Sequence, residues 1–124
     1  MLIVLAEDIP DVADTTAAVL RTLGRHTVEI ASNGPSALEL ARALRPDAML
    51  IDIGLPGMSG YEVAEQVRRE EWGADILLIA VTGYGEVDEI QRACAAGFNA
   101  HRTKPADCNE LLSMLEEWHA RARG

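Results

Sequence analysis

The run Ala48-Met49-Leu50-Ile51-Asp52-Ile53-Gly54-Leu55-Pro56-Gly57 decides how this chain folds. An apolar stretch leads into one carboxylate, and a glycine- and proline-rich loop follows at once. An uninterrupted apolar stretch bounded by turn residues suits a strand buried on both faces of a parallel sheet. An isolated carboxylate does not tolerate apolar surroundings. At the strand's carboxyl end, however, it faces the crevice where open α/β sheets bind their ligands. Asp52 is therefore an awkward strand terminus or a reactive centre.

The flanking sequence repeats the theme. Met1 to Ala6 reads as a buried strand closed by Glu7-Asp8. A helix is expected from Asp8 to Gly24, with Pro10 near its start, where a missing N–H costs nothing. Its apolar stripe is Val12, Thr16, Val19, Leu20 and Leu23. Thr27 to Ala31 alternates, as an edge or half-exposed strand does. Asn33-Gly34-Pro35 opens a helix with Ala37, Leu38, Ala41 and Leu44 inward, and Arg45-Pro46-Asp47 ends it. After Asp52, Ser59 is a natural N-cap for a helix carrying Val63, Val67 and Trp72 inward. Ile76 to Val81 is a second wholly apolar strand, ending at Thr82. A helix from Glu86 to Ala96, a short polar strand from Asn99 to Thr103 closed by Lys104-Pro105, and a helix from Asp107 to Arg121 complete the pattern.

Strand and helix alternate five times, which implies an α/β fold with a five-stranded parallel sheet and helices on both faces. The flavodoxin-like order 2-1-3-4-5 is the commonest arrangement of that kind. Residues 1–124 are expected to form one domain.

Composition narrows the function. With 48% hydrophobic and 25% charged residues, the chain is of ordinary globular type. No apolar run approaches the roughly 20 residues of a membrane span, and the N-terminus lacks the basic flank of a signal peptide. A cytoplasmic protein is expected. The net charge of −9 argues against nucleic acid as a partner. Cys94 and Cys108 fall in helical segments and are expected to be small core hydrophobes, not a disulfide or metal pair.

In the expected fold the strand ends bring Glu7, Asp8, Asp52, Thr82 and Lys104 to one rim. Each alone has a plainer reading as a cap, a turn former or a surface charge. Together they form a coherent set. Three carboxylates repel, and an oxygen-only donor set with room for water suits magnesium, with manganese the alternative. Zinc calls for cysteine or histidine, and His26, His101 and His119 make no ligand pattern. A lysine beside such a cation makes sense where a phosphoryl group is also present, its charge divided between the two. The Thr82 hydroxyl would complete that cradle.

These residues, with the loop Asp52-Ile53-Gly54-Leu55-Pro56-Gly57-Met58-Ser59-Gly60 and the pair Lys104-Pro105, resemble the receiver domain of two-component response regulators over essentially the whole chain. The resemblance implies that Asp52 accepts a phosphoryl group from the phosphohistidine of a histidine kinase or histidine phosphotransfer protein. It implies magnesium ligands from Asp8, Asp52 and the backbone carbonyl of Gly54, with Glu7 acting directly or through water. Thr82 and Lys104 would bind phosphoryl oxygens, and the Lys104-Pro105 bond is expected to be cis. A downstream protein would read the surface of the fourth helix, fifth strand and fifth helix.

Two positions depart from the family pattern. His101 stands where a signalling aromatic is usual, so a Thr82–His101 switch and a passive strand residue are both open. Gly83 follows the threonine where alanine is common. The stretches Thr82-Gly83-Tyr84-Gly85 and Gly97-Phe98-Asn99-Ala100-His101 are closest to receivers of hybrid histidine kinases, so a stand-alone receiver and a piece of a hybrid kinase both fit. Gly54 leaves a path for water to Asp52, and Tyr84 would shield it. An aspartyl-phosphate-forming phosphatase is the rival reading, but the acid it usually carries two residues after the nucleophile is absent, that position being Gly54.

Overall fold

The computed structural model describes residues 1–83 and 85–123, with side chains up to residue 121. The order is β1 (Leu2–Ala6), α1 (Pro10–Thr22), β2 (Thr27–Ala31), α2 (Gly34–Leu44), β3 (Ala48–Asp52), α3 (Gly60–Arg69), β4 (Leu77–Thr82), α4 (Val87–Ala96), β5 (Ala100–Thr103) and α5 (Cys108–Arg123). A short 3-10 turn, Glu71–Gly73, follows α3. All pairings are parallel and the strand order is β2-β1-β3-β4-β5, the flavodoxin-like arrangement the alternation implied. No helix among the described residues is long and apolar enough to cross a membrane.

Strand side chains alternate between faces, and the central strands are apolar on both. One face sets Val4, Met49, Ile51 and Leu78 against α2, α3 and α4 through Ala41, Val63, Val67 and Ala93. The other sets Ile3, Leu5, Leu50 and Ile79 against Ala17 and Leu20 of α1 and Leu111 and Leu115 of α5. β3 is buried along its whole length, which accounts for its uninterrupted apolar run. β2 lies at the sheet edge, as its alternation suggested.

Helix starts follow local chemistry. The Asn33 side chain accepts from Ser36 N at 2.8 Å, and Ser59 Oγ accepts from Glu62 N at 3.3 Å, each satisfying a donor orphaned at a helix end. α1 has no such cap. It starts at Pro10, not Asp8, so Glu7, Asp8 and Ile9 remain in the loop after β1.

The inward stripe of α1 also differs from the expected one. Ala13, Ala17 and Leu20 are buried, while Val12 and Leu23 are 44% and 68% exposed. Small alanines let the helix lie close to the sheet, and this rotates the larger residues onto its flanks. On α2, Leu44 is exposed, and Leu40 packs against the core instead. Trp72 sits in the 3-10 turn and packs partly against the core. Neither cysteine is a core residue. α4 buries only Ala93 and Ala96, which leaves Cys94 exposed, and Cys108 is half-buried at the start of α5.

Candidate functional site

The carboxyl ends of β1, β3 and β5 place Glu7, Asp52 and Lys104 on one face of the sheet. Glu7 continues the Ile3–Leu5 alternation and Asp52 continues Ala48–Leu50, both toward α1 and α5. Lys104 follows β5 on the same side, and the Lys104–Pro105 peptide bond is cis. The three side chains meet. Lys104 Nζ donates to Asp52 Oδ2 at 2.7 Å and lies 3.6 Å from Glu7 Oε2. Asp52 Oδ1 accepts from Gly54 N at 3.0 Å, so both carboxylate oxygens are held.

Burial makes this cluster electrostatically tense. Glu7 is 5% and Asp52 6% exposed. Burial pushes the Glu7 carboxyl above its ordinary 4.5, the Asp52 charge raises it further, and Lys104 offsets part of the rise. Burial pulls the Lys104 ammonium down, but its hydrogen bond and charge contact with Asp52, and then Glu7, outweigh that and hold it above its ordinary 10.5. Lys104 is thus a counter-cation fixed to two buried carboxylates.

Asp8 is exposed, yet it presents an oxygen to the same point. Ligand atoms of Glu7, Asp8 and Asp52 all lie within 4.8 Å of one another. These donors are oxygen only, two buried and one open to solvent, which fits a hard divalent cation that keeps part of its water.

Thr82 belongs to the opposite face by alternation with Leu78 and Ala80, and it is only 1% exposed. Its Oγ1 is buried without a hydrogen-bond partner among the described residues. Its carbonyl accepts from Lys104 N at 2.7 Å, which ties the threonine and lysine positions together through the backbone. Buried hydroxyls are ordinarily paired, so a hydroxyl with no partner among the described residues, one residue beyond the Val81 that pairs with Asp52, has a donor to offer.

His101 lies half-buried on β5, opposite Ala80 in register, while Thr103 is the residue opposite Thr82. The histidine is two register positions from the threonine, on the same face of the sheet by alternation. Gly83 has open space where a side chain would stand, so sterics do not require glycine there. Tyr84 lies outside the described residues.

Three features of the structure, two of them at the site, carry no signal in the sequence. A Cβ on Gly60 would stand 2.7 Å from Asp52 O, so glycine lets α3 begin directly beneath Asp52. Arg68, in the last turn of α3, donates to Gly97 O, Gly73 O, Ile76 O and Asn99 Oδ1 at 2.8–2.9 Å, binding several segments at the far end of the sheet. A cavity of about 630 Å³ opens beside Asp52, between α1 and α5. None of the three has a spacing or composition signal, because each depends on distant backbone meeting.

Comparison with known proteins agrees with this geometry. The model of the response regulator receiver domain family matches residues 3–116. A receiver domain of a Pseudomonas aeruginosa sensor histidine kinase, solved with magnesium coordinated in its active-site cleft, is 32% identical. It superposes with a TM-score of 0.86 over 94% of this chain and 95% of that one. A putative response regulator of Chloroflexus aurantiacus is 28% identical, with a TM-score of 0.88 over 96% and 97% of the two chains. Protein Rrf1 of Nitratidesulfovibrio vulgaris is 36% identical over 55 residues, a match covering 44% of this chain and 38% of that protein.

Proposed function

This chain belongs to the response regulator receiver domain family, and from that membership we propose that residues 1–124 form one receiver domain with Asp52 as its phosphoacceptor. An Asp52 carboxylate oxygen attacks the phosphorus of a phosphohistidine on a histidine kinase or histidine phosphotransfer protein. The new O–P bond forms as the N–P bond breaks, and the imidazole leaves with the electron pair. The observation that carries this reading is the buried Asp52 carboxylate, held by Lys104 at 2.7 Å and flanked by Glu7 and Asp8.

Asp8, Asp52 and the Gly54 carbonyl are the ligands we assign to magnesium, or manganese in its place, with Glu7 acting directly or through water. Such a cation neutralises charge building on the transferring phosphoryl oxygens. Lys104, already beside Asp52 at 2.7 Å, neutralises a further share. The unpartnered Thr82 hydroxyl supplies a hydrogen bond to a phosphoryl oxygen. Once Lys104 and Thr82 turn to the phosphoryl group, β5 and the loop before α4 shift with them. The surface of α4, β5 and α5 is then the one a downstream protein reads, with His101 beside Thr82 as a candidate second switch residue. The domain signals and does not turn over a separate substrate. It assists only its own phosphorylation and dephosphorylation, in the cytoplasm.

The test is incubation with acetyl phosphate and magnesium, followed by mass spectrometry. One labile phosphoryl group on Asp52, absent from Asp52→Asn, is expected. Label retained by the variant, or sustained hydrolysis of a phosphomonoester, overturns the assignment.

A further inference from the structure

We infer that the cavity beside Asp52 is a binding site for a small amphipathic organic cation. The apolar body lies between α1 and α5, and the charged head meets the buried carboxylates. At about 630 Å³ the space falls within the range of small-molecule sites, which combine apolar walls with a few convergent polar groups. Its cause is visible in the side chains. Farther along the same interface, Leu20 and Leu115 close the core completely. Near the site, the facing positions are the short Thr16 of α1 and Ala106 and Cys108 at the entry to α5, and these do not meet. Leu5 and Leu50 floor the space, and Val12 lines it while remaining 44% exposed. Val12 is a wall without a filling, which an apolar guest would cover.

The polar end selects the sign of the head group. Glu7 and Asp52 face it from beneath and Asp11 from the rim, against the single ammonium of Lys104. Three carboxylates and one lysine leave a negative end, so an ammonium head is complementary, a carboxylate head is repelled, and a neutral head leaves the charge unmatched. The head occupies the space in front of Glu7 and Asp52. On the proposed metal reading of those residues, ligand and magnesium exclude one another, so the cavity would gate phosphorylation of Asp52.

Cys108 lines the cavity and Cys94 is exposed elsewhere, so each molecule carries a probe and its own control. The experiment follows iodoacetamide alkylation of each cysteine by peptide mass spectrometry. The full chain, in magnesium-free buffer, is titrated with n-octylammonium below its aggregation concentration. Cys108 alkylation is expected to slow by about fivefold, the protection given by roughly 80% occupancy, with Cys94 unchanged. n-Octanol, tetramethylammonium and octanoate should protect far less, and Thr16→Leu, which fills the space, should abolish protection. Slowing at both cysteines or neither overturns the site, and equal protection by n-octanol or octanoate overturns the cationic head. Adding magnesium should restore Cys108 reactivity, and failure to do so overturns the overlap. Labelling of ligand-free protein by acetyl phosphate and magnesium reports separately on Asp52, so failure there leaves the magnesium-free result standing.

Discussion

The Lys104 ammonium lies 2.7 Å from Asp52 Oδ2 and 3.6 Å from Glu7 Oε2, so the lysine is the internal counter-cation of a buried carboxylate pair. Removing one partner of such a set leaves uncompensated charge in a poorly solvated place. Lys104→Met should therefore lower stability in EDTA by about 1–3 kcal/mol, read from urea unfolding at neutral pH. Added magnesium, supplying charge the lysine no longer gives, should narrow the gap. Glu7→Gln should act oppositely in EDTA and raise the urea midpoint, because it removes a carboxylate that burial and Asp52 both disfavour as an ion. A Lys104→Met deficit that widens with magnesium would contradict this account.

Gly54 stands beside the same carboxylate. A Cβ built there would lie 3.7 Å from Asp52 Oδ1, an ordinary contact, so a side chain can start there without a clash and next to the oxygen. Gly54→Met should protect the aspartyl phosphate from water and lengthen its lifetime by about tenfold, an effect of about 1.4 kcal/mol on the hydrolysis barrier. Decay of the phosphorylated mass after removal of donor measures it. An unchanged lifetime would mean that water reaches the phosphorus from elsewhere.

Much of this was legible in the chain, for definable reasons. β3 and β4 are buried on both faces, so their composition announces them, and Asp52 and Thr82 stand out as polar endings to apolar runs. The Ser59 cap and the helix start at Asn33-Gly34-Pro35 are legible because they act locally, within three residues. The stripe of α1 was misread because alanine was given too little weight beside Val12 and Leu23. The helix lies close to the sheet only where its side chains are small. Arg68 could not be found this way: its acceptors at Gly97 and Asn99 are carried there by a further strand and a helix, β4 and α4.

His26 gives the protein an acid-sensitive point remote from Asp52. Its Nε2 is buried without a partner among the described residues, and its Nδ1 lies 3.2 Å from the Met1 amine. Burial, followed by the amine's charge, depresses its pKa below the ordinary 6.5, with His119 adding slightly and Glu116 opposing. The unfolded chain therefore takes up this proton before the folded one. The associated stability is complete above pH 6.5 and is lost as pH falls through the folded value. His26→Gln should flatten the fall in urea midpoint between neutral and mildly acid pH relative to the native chain. An unaltered slope would place that sensitivity in the carboxylates.

The two ends of α4 are held very differently, which bears on how the domain would signal. At the carboxyl end, Arg68 Nε donates to Gly97 O at 2.9 Å, and Gly97 sits at φ 109° with the arginine stem against its Cα. Asn99 Oδ1 accepts from both Arg68 Nη2 and Leu78 N, so the helix end is bound into the sheet. At the amino end the one side-chain tie to another element among the described residues is longer, from Tyr61 Oη to Glu89 O at 3.4 Å. Val87 is 68% exposed, the Glu86–Glu89 cap is local, and Gly83 has empty space around it. A helix held by several short bonds at one end and one long bond at the other swings most readily about the firmer end. Amide exchange should therefore be faster in the first turn of α4 than at Gly97 to Asn99, and phosphorylation should alter the first turn more. Arg68→Met should cost about 2–4 kcal/mol, since several buried carbonyls lose their donor together, and should erase the difference between the ends. Equal exchange at both ends of the native helix would show that α4 moves as a whole and that Arg68 is only a structural clamp.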